Sequence, residues 1–71
     1  KIGLPIYSYL TQFRIQKACT LLEDNSLSIQ SIAMQVGYSN PLYFSRIFKK
    51  YKNISPQKYR EIIIAEARKD L

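Results

Sequence analysis

SIQSIAMQVGYSNPLYFSRIFKK, residues 28–50, decides how this 71-residue chain folds. Its first half places Ile29, Ile32, Ala33 and Val36 at the i, i+3, i+4, i+7 spacing of one buried helix face. Gly37 follows, a residue that takes positive φ at a helix C-terminus without the steric cost of a side chain. The second half carries two interleaved stripes. Phe44, Ile47, Phe48 and Tyr51 share one face at helical spacing, and Leu42, Ser45, Arg46 and Lys49 share the opposite face. Two short helices about a sharp glycine turn, the second with a basic outer stripe, describe a helix-turn-helix, here expected over residues 28–51.

The flanks read as helices too. Pro5 opens an earlier one at a position where its missing N–H costs nothing, although Leu4 offers that helix no side-chain acceptor as a cap. It is expected over residues 5–23, with Leu10, Ile15, Ala18, Leu21 and Leu22 as apolar positions and Asp24-Asn25-Ser26 as the closing turn. Ile6, Tyr7, Tyr9 and Phe13 add more apolar surface to its N-terminal half than three short helices can cover. Leu27 is placed as a staple against Ile32, Ser28 caps the second helix, and Ser39 or Asn40 caps the third, with Pro41 in its first turn. Lys49, Lys50 and Lys52 complement the negative end of that helix's dipole. Ser55-Pro56 repeats the cap-then-proline pattern and starts a fourth helix over 55–67, with Tyr59, Ile62 and Ile63 toward the core and Glu66 to Leu71 frayed. No segment alternates as a strand does. The expected fold is all-α: a four-helix, homeodomain-like helix-turn-helix domain.

Length and composition exclude most other functions. A chain this short buries only roughly 60% of the surface its unfolded form exposes, which leaves no room for a deep cleft. Without His, and with Cys19 alone, the chain holds neither a zinc site nor an internal disulfide, so no metal and no cofactor is expected. Cys19 reads as a small core hydrophobe, and a free thiol fits a reducing cytoplasm. No His and no clustered acids supply a base with a matched pKa, so the chain does not read as an enzyme. Its longest apolar run, Ile62–Ala65, is far too short to span a bilayer, and KIGLP lacks a signal-peptide pattern.

The net charge of +6 is concentrated in one region. Residues 38–60 hold Arg46, Lys49, Lys50, Lys52, Lys58 and Arg60 and no acid, while the segments before and after nearly balance at +1 and −1. A one-signed cluster is the footprint of a polyanion binder, whereas a merely solubilising face mixes both signs. The third helix is then the natural recognition helix, because a major groove admits one helix and its N-terminal residues reach the base edges. Pro41, Leu42, Ser45, Arg46 and Lys49 are the candidate base-reading residues. Arg46 leads them, since a guanidinium can donate two hydrogen bonds to guanine; Leu42 and Pro41 offer apolar contact, as to a thymine methyl. Ser28, Asn40, Tyr43, Lys50, Lys52, Ser55, Lys58 and Arg60 are the candidate phosphate contacts, through charge or through helix N-termini. Arg14 lies far in sequence from this cluster and reads at least as readily as a structural residue, for instance paired with an acid. A basic helical module that binds an acidic protein partner is the alternative, separable by sequence-selective, salt-sensitive DNA binding that Arg46→Ala abolishes.

At this point the residues match something specific. The run IQSIAMQVGYSNPLYFSRIFKKYKNISPQKYR resembles the second helix-turn-helix of AraC/XylS-family transcription regulators through Ile29, Ile32, Ala33, Gly37, Tyr38, Tyr43, Phe44, Ser45, Arg46, Phe48, Lys49, Lys50, Ser55, Pro56, Tyr59 and Arg60. Upstream, GLPIYSYLTQFRIQKACTLL resembles the end of the family's first unit and its connecting helix, through Gly3, Pro5, Tyr9, Leu10, Arg14, Ala18 and Leu22. Leu4 stands where the family usually has serine, and Asn53-Ile54 replaces a commoner glycine turn, though Asn tolerates positive φ. The resemblance implies double-stranded DNA as partner, two helix-turn-helix units joined by the connecting helix, and an effector-sensing domain elsewhere. Only the second unit is complete here. It also accounts for the apolar first helix, whose Ile6, Leu10 and Phe13 the missing first unit would cover; the isolated chain is expected to self-associate through that face.

Overall fold

In the computed structural model, which describes the backbone of residues 6–69 and side chains from Ser8 onward, four helices follow one another: α1 (Ile6–Leu22), α2 (Ile29–Gln35), α3 (Pro41–Lys52) and α4 (Pro56–Lys69). No strand occurs among the described residues. The expected start of α1 at Pro5, the Leu4 cap, Gly3 and the side chains of Ile6 and Tyr7 lie outside what is described. At the other end α4 keeps helical form through Lys69, past the point where fraying was expected.

α1 is the central element and packs against each of the other three. Thr11, Ile15, Ala18 and Leu22 form its buried stripe, with Cys19 beside them. The rest of the core comes from Ile32, Ala33 and Val36 of the α2 segment, Tyr38 of the turn, and Phe44 and Phe48 of α3. Leu21, Leu27, Ile29, Ile47, Tyr51, Tyr59 and Ile63 pack around that centre. Four ring contacts link the parts: Tyr43–Tyr38, Tyr38–Phe44, Phe44–Phe48 and Phe48–Tyr59, at centroid separations of 5.8, 5.8, 5.9 and 5.5 Å. Such tilted and edge-on pairs add about 0.5–1.5 kcal/mol each beyond the area they bury. Burial raises the Tyr59 phenol above its ordinary pKa, and its contact with Cys19 acts the same way.

Among the described residues, the caps of α2, α3 and α4 each have a definite partner. Ser28 Oγ accepts from Ser31 N at 3.0 Å and Ser55 Oγ from Lys58 N at 3.1 Å. Between the two candidates for α3, the cap is Asn40, whose Oδ1 accepts from Leu42 N and Tyr43 N. α2 ends in a Schellman closure. Gly37, at φ +103°, donates to Met34 O, and Tyr38 N donates to Ala33 O at 2.8 Å. Asn53 ends α3 at φ +70°, donating to Lys49 O.

The closing turn of α1 depends on a residue distant in sequence. Arg60 is buried; its Nε donates to Leu22 O and its Nη2 to Asp24 O, both at 3.1 Å. The last turn of α1 contains no basic residue of its own, so α4 supplies the cation for those carbonyls. Next to them, the Ser26 hydroxyl and then its amide hydrogen-bond to the Asp24 carboxylate and hold its pKa below the ordinary value. Burial of Pro56 and of Arg60 one turn later sets the rotation of α4, so Ile63 packs inward and Ile62 is turned out, 43% exposed. Ile62 is thus not a core residue.

Two substitutions test these closures by urea unfolding. Arg60→Ala strands carbonyls that lose a charged donor and should lower stability by about 2–3 kcal/mol, with Arg60→Lys recovering part of it. Gly37→Ala forces a side chain into the left-handed region against the Arg14 guanidinium, whose Cζ lies 3.1 Å from the new Cβ position, and should cost about 1–2 kcal/mol.

Candidate nucleic-acid interface

α3 serves two purposes on two faces. Phe44 and Phe48 have no exposure at all, which fixes the helix in rotation, and the opposite side is thereby turned to solvent. On that side Leu42 is 76% exposed and Arg46 and Lys49 are exposed, three residues at i, i+4 and i+7 spacing. They extend over about 10 Å of helix axis. Pro41 and Ser45 sit half-buried at the margins of this stripe. The Leu42 side chain stands clear of the core at the first turn of a capped helix.

The surrounding candidates divide by what their atoms already do. Lys50 and Lys52 are exposed and, with Lys49, occupy the last turn of α3, where their charge complements the helix dipole. Lys58 is exposed in the first turn of α4. Ser28, Ser55 and Asn40 use a side-chain oxygen as a cap acceptor, which leaves the hydroxyl hydrogens and the Asn40 amide group as donors for an anion. Tyr43 is 45% exposed with its ring against Tyr38.

Arg60 does not join them. It is buried, and two of its guanidinium N–H groups donate to the carbonyls of Leu22 and Asp24, which gives it a structural role at the end of α1. The sequence did carry a signal for this: Pro56 at the head of α4 and a last turn of α1 without any basic residue. Arg14 lies against the Tyr38 ring, 5.4 Å from Cζ to the centroid, a structural contact of a kind other than pairing with an acid.

A second surface is exposed on α1. Tyr9, Leu10 and Phe13 are 69%, 41% and 58% exposed, on the N-terminal half where excess apolar surface was expected. No helix among the described residues is long and apolar enough to cross a membrane.

Comparison with known proteins agrees with this architecture. A family model described as a helix-turn-helix domain matches residues 1–62. The chain is 37% identical over 62 residues to an uncharacterised HTH-type transcriptional regulator of Haemophilus influenzae, covering 87% of this chain and 21% of that protein. It is 43% identical over 61 residues to the Msm operon regulatory protein of Streptococcus mutans, covering 86% and 22%. Among solved structures it is similar to the C-terminal domain of the two-component response regulator yesN from Fusobacterium nucleatum, with a TM-score of 0.79, 44% identity, and coverage of 83% of this chain and 57% of that one. The chain spans about a fifth of the length of these two curated relatives. It belongs to the AraC/XylS-type family of DNA-binding helix-turn-helix domains.

Proposed function

We propose that α3 is the recognition helix of a sequence-specific reader of double-stranded DNA, lying in the major groove with its outer stripe against the bases. The observation that carries this is the line Leu42–Arg46–Lys49, exposed on a helix whose other face is locked into the core. Arg46 donates to a guanine, Leu42 and Pro41 make apolar contacts, Ser45 supplies a shorter polar contact, and Lys49 reaches the far end of the stripe. Ser28, Asn40, Tyr43, Lys50, Lys52, Ser55 and Lys58 hold phosphates on either side. The protein works in the cytoplasm, as the second of two helix-turn-helix units in a longer regulator, with α1 as the connecting helix and an effector-sensing domain elsewhere. The exposed Tyr9, Leu10 and Phe13 support this arrangement: they form the face that a first unit covers.

Selection of binding sites from random DNA by the complete regulator tests the assignment. Arg46→Ala should weaken binding to the selected site by about 1–3 kcal/mol and relax preference at one base pair, and Leu42→Ala should change preference at a neighbouring one. Lys50→Ala should instead weaken all sequences alike and reduce the slope of log affinity against log salt by about one. An unchanged selected sequence in both Arg46→Ala and Leu42→Ala removes α3 as the reader.

The apolar face of α1 makes a separate prediction for the isolated chain. It should self-associate in sedimentation runs at high protein concentration, and Leu10→Ser with Phe13→Ser should weaken that association by about tenfold or more. A parent chain that stays monomeric and binds no apolar dye refutes it.

A further inference from the structure

Arg14 has no carboxylate partner among the described residues; the ion pair found there joins Lys69 and Glu66. Its guanidinium lies instead on the turn between α2 and α3. A Cβ at Gly37 would meet Arg14 Cζ at 3.1 Å and Nε at 3.3 Å, so the absence of a side chain at Gly37 is what lets the group close on the backbone. From there Cζ faces the Tyr38 ring at 5.4 Å. Tyr38 as a residue is only 7% exposed, and a cation over a desolvated ring is held more strongly than one over a ring in water. Tyr38 then touches two rings of α3, Phe44 in the core and Tyr43 in the first turn, each at 5.8 Å. Tyr43 is the neighbour of Leu42, and the amides of both share the Asn40 cap.

We propose that Arg14 is a positioning residue for base recognition. It clamps the Gly37–Tyr38 turn so that Tyr38 holds the first turn of α3, and with it Leu42 and Arg46, in one register on α1. Lysine does not substitute, because an ammonium is a compact point charge without a flat face to lie between a backbone turn and a ring. The inference rests on α3 being the recognition helix.

The test uses the complete regulator with two readouts: deuterium uptake of the peptide covering 40–46 without DNA, and the affinity ratio between the selected site and its single-base variants. Arg14→Ala and Arg14→Lys should each speed exchange in 40–46 and shrink the affinity ratio by about fivefold. Tyr38→Phe, which keeps the ring, should match the parent. Tyr38→Leu should reproduce the Arg14→Ala effect, and the double variant should be no worse than Tyr38→Leu alone. Parent-like behaviour of Arg14→Lys overturns the proposal, since charge alone then suffices. A loss equal on all DNA sequences with a shallower salt dependence also overturns it, by making Arg14 a phosphate contact, and so do additive losses in the double variant. If the parent regulator ignores DNA sequence, the recognition-helix reading fails; unchanged exchange in 40–46 of Arg14→Ala separately refutes the clamp.

Discussion

The left-handed turn at Gly37 is the constraint on which the rest of this fold depends. Positive φ lets Gly37 and Tyr38 close the end of α2 onto the Met34 and Ala33 carbonyls, and the same geometry sends Tyr38 inward. With α2 closed in this way, Asn40 can begin a new helix whose first turn lies over the core. A side chain at Gly37 would strain the backbone and push away the Arg14 guanidinium that lies over it. The angle between the two helices, and hence the direction in which α3 faces, follows from one residue's lack of a Cβ.

Stability and site geometry are for that reason the same problem here. Phe44 and Phe48 alternate with Leu42, Arg46 and Lys49 along one helix, so the burial of two rings fixes the heading of the exposed stripe. The row of aromatic contacts from Tyr43 to Tyr59 ties the first turn of α3 to α4. In a domain this small, with no deep core to absorb a misplaced element, each contact in that row bears on both holding the fold together and aiming the helix.

Much of this is legible in the residues because it is local. The caps at Ser28 and Ser55, the positive φ at Gly37 and Asn53, and the two faces of α3 each depend on neighbours within a turn or two. What the residues hide is rotation about a helix axis set by distant partners. α4 offers Tyr59, Ile62 and Ile63 as an apolar set, yet the need of α1 for a cation at its carbonyls brings Arg60 inward and turns Ile62 out. Arginine at position 60 looks like part of a basic surface until its carbonyl partners, 36 and 38 residues away in the chain, are seen. Arg14 is similar: an exposed cation in one dimension, a flat plate on an aromatic ring in three.

The net positive charge of the domain is as one-sided as its exposed helix face. With Arg60 turned inward, the cations of residues 38–60 that remain at the surface lie on α3 and the start of α4, while at the far end of α4 Glu66 is paired with Lys69. A body whose excess positive charge sits on one side, with the charges elsewhere nearly balanced, carries that charge away from its centre. In the field of a polyanion it feels a torque as well as an attraction, and the torque acts at distances up to roughly the Debye length, ~8–10 Å in physiological salt. Such a torque turns the α3 side of the domain toward the polyanion before contact, converting a random collision into an oriented one.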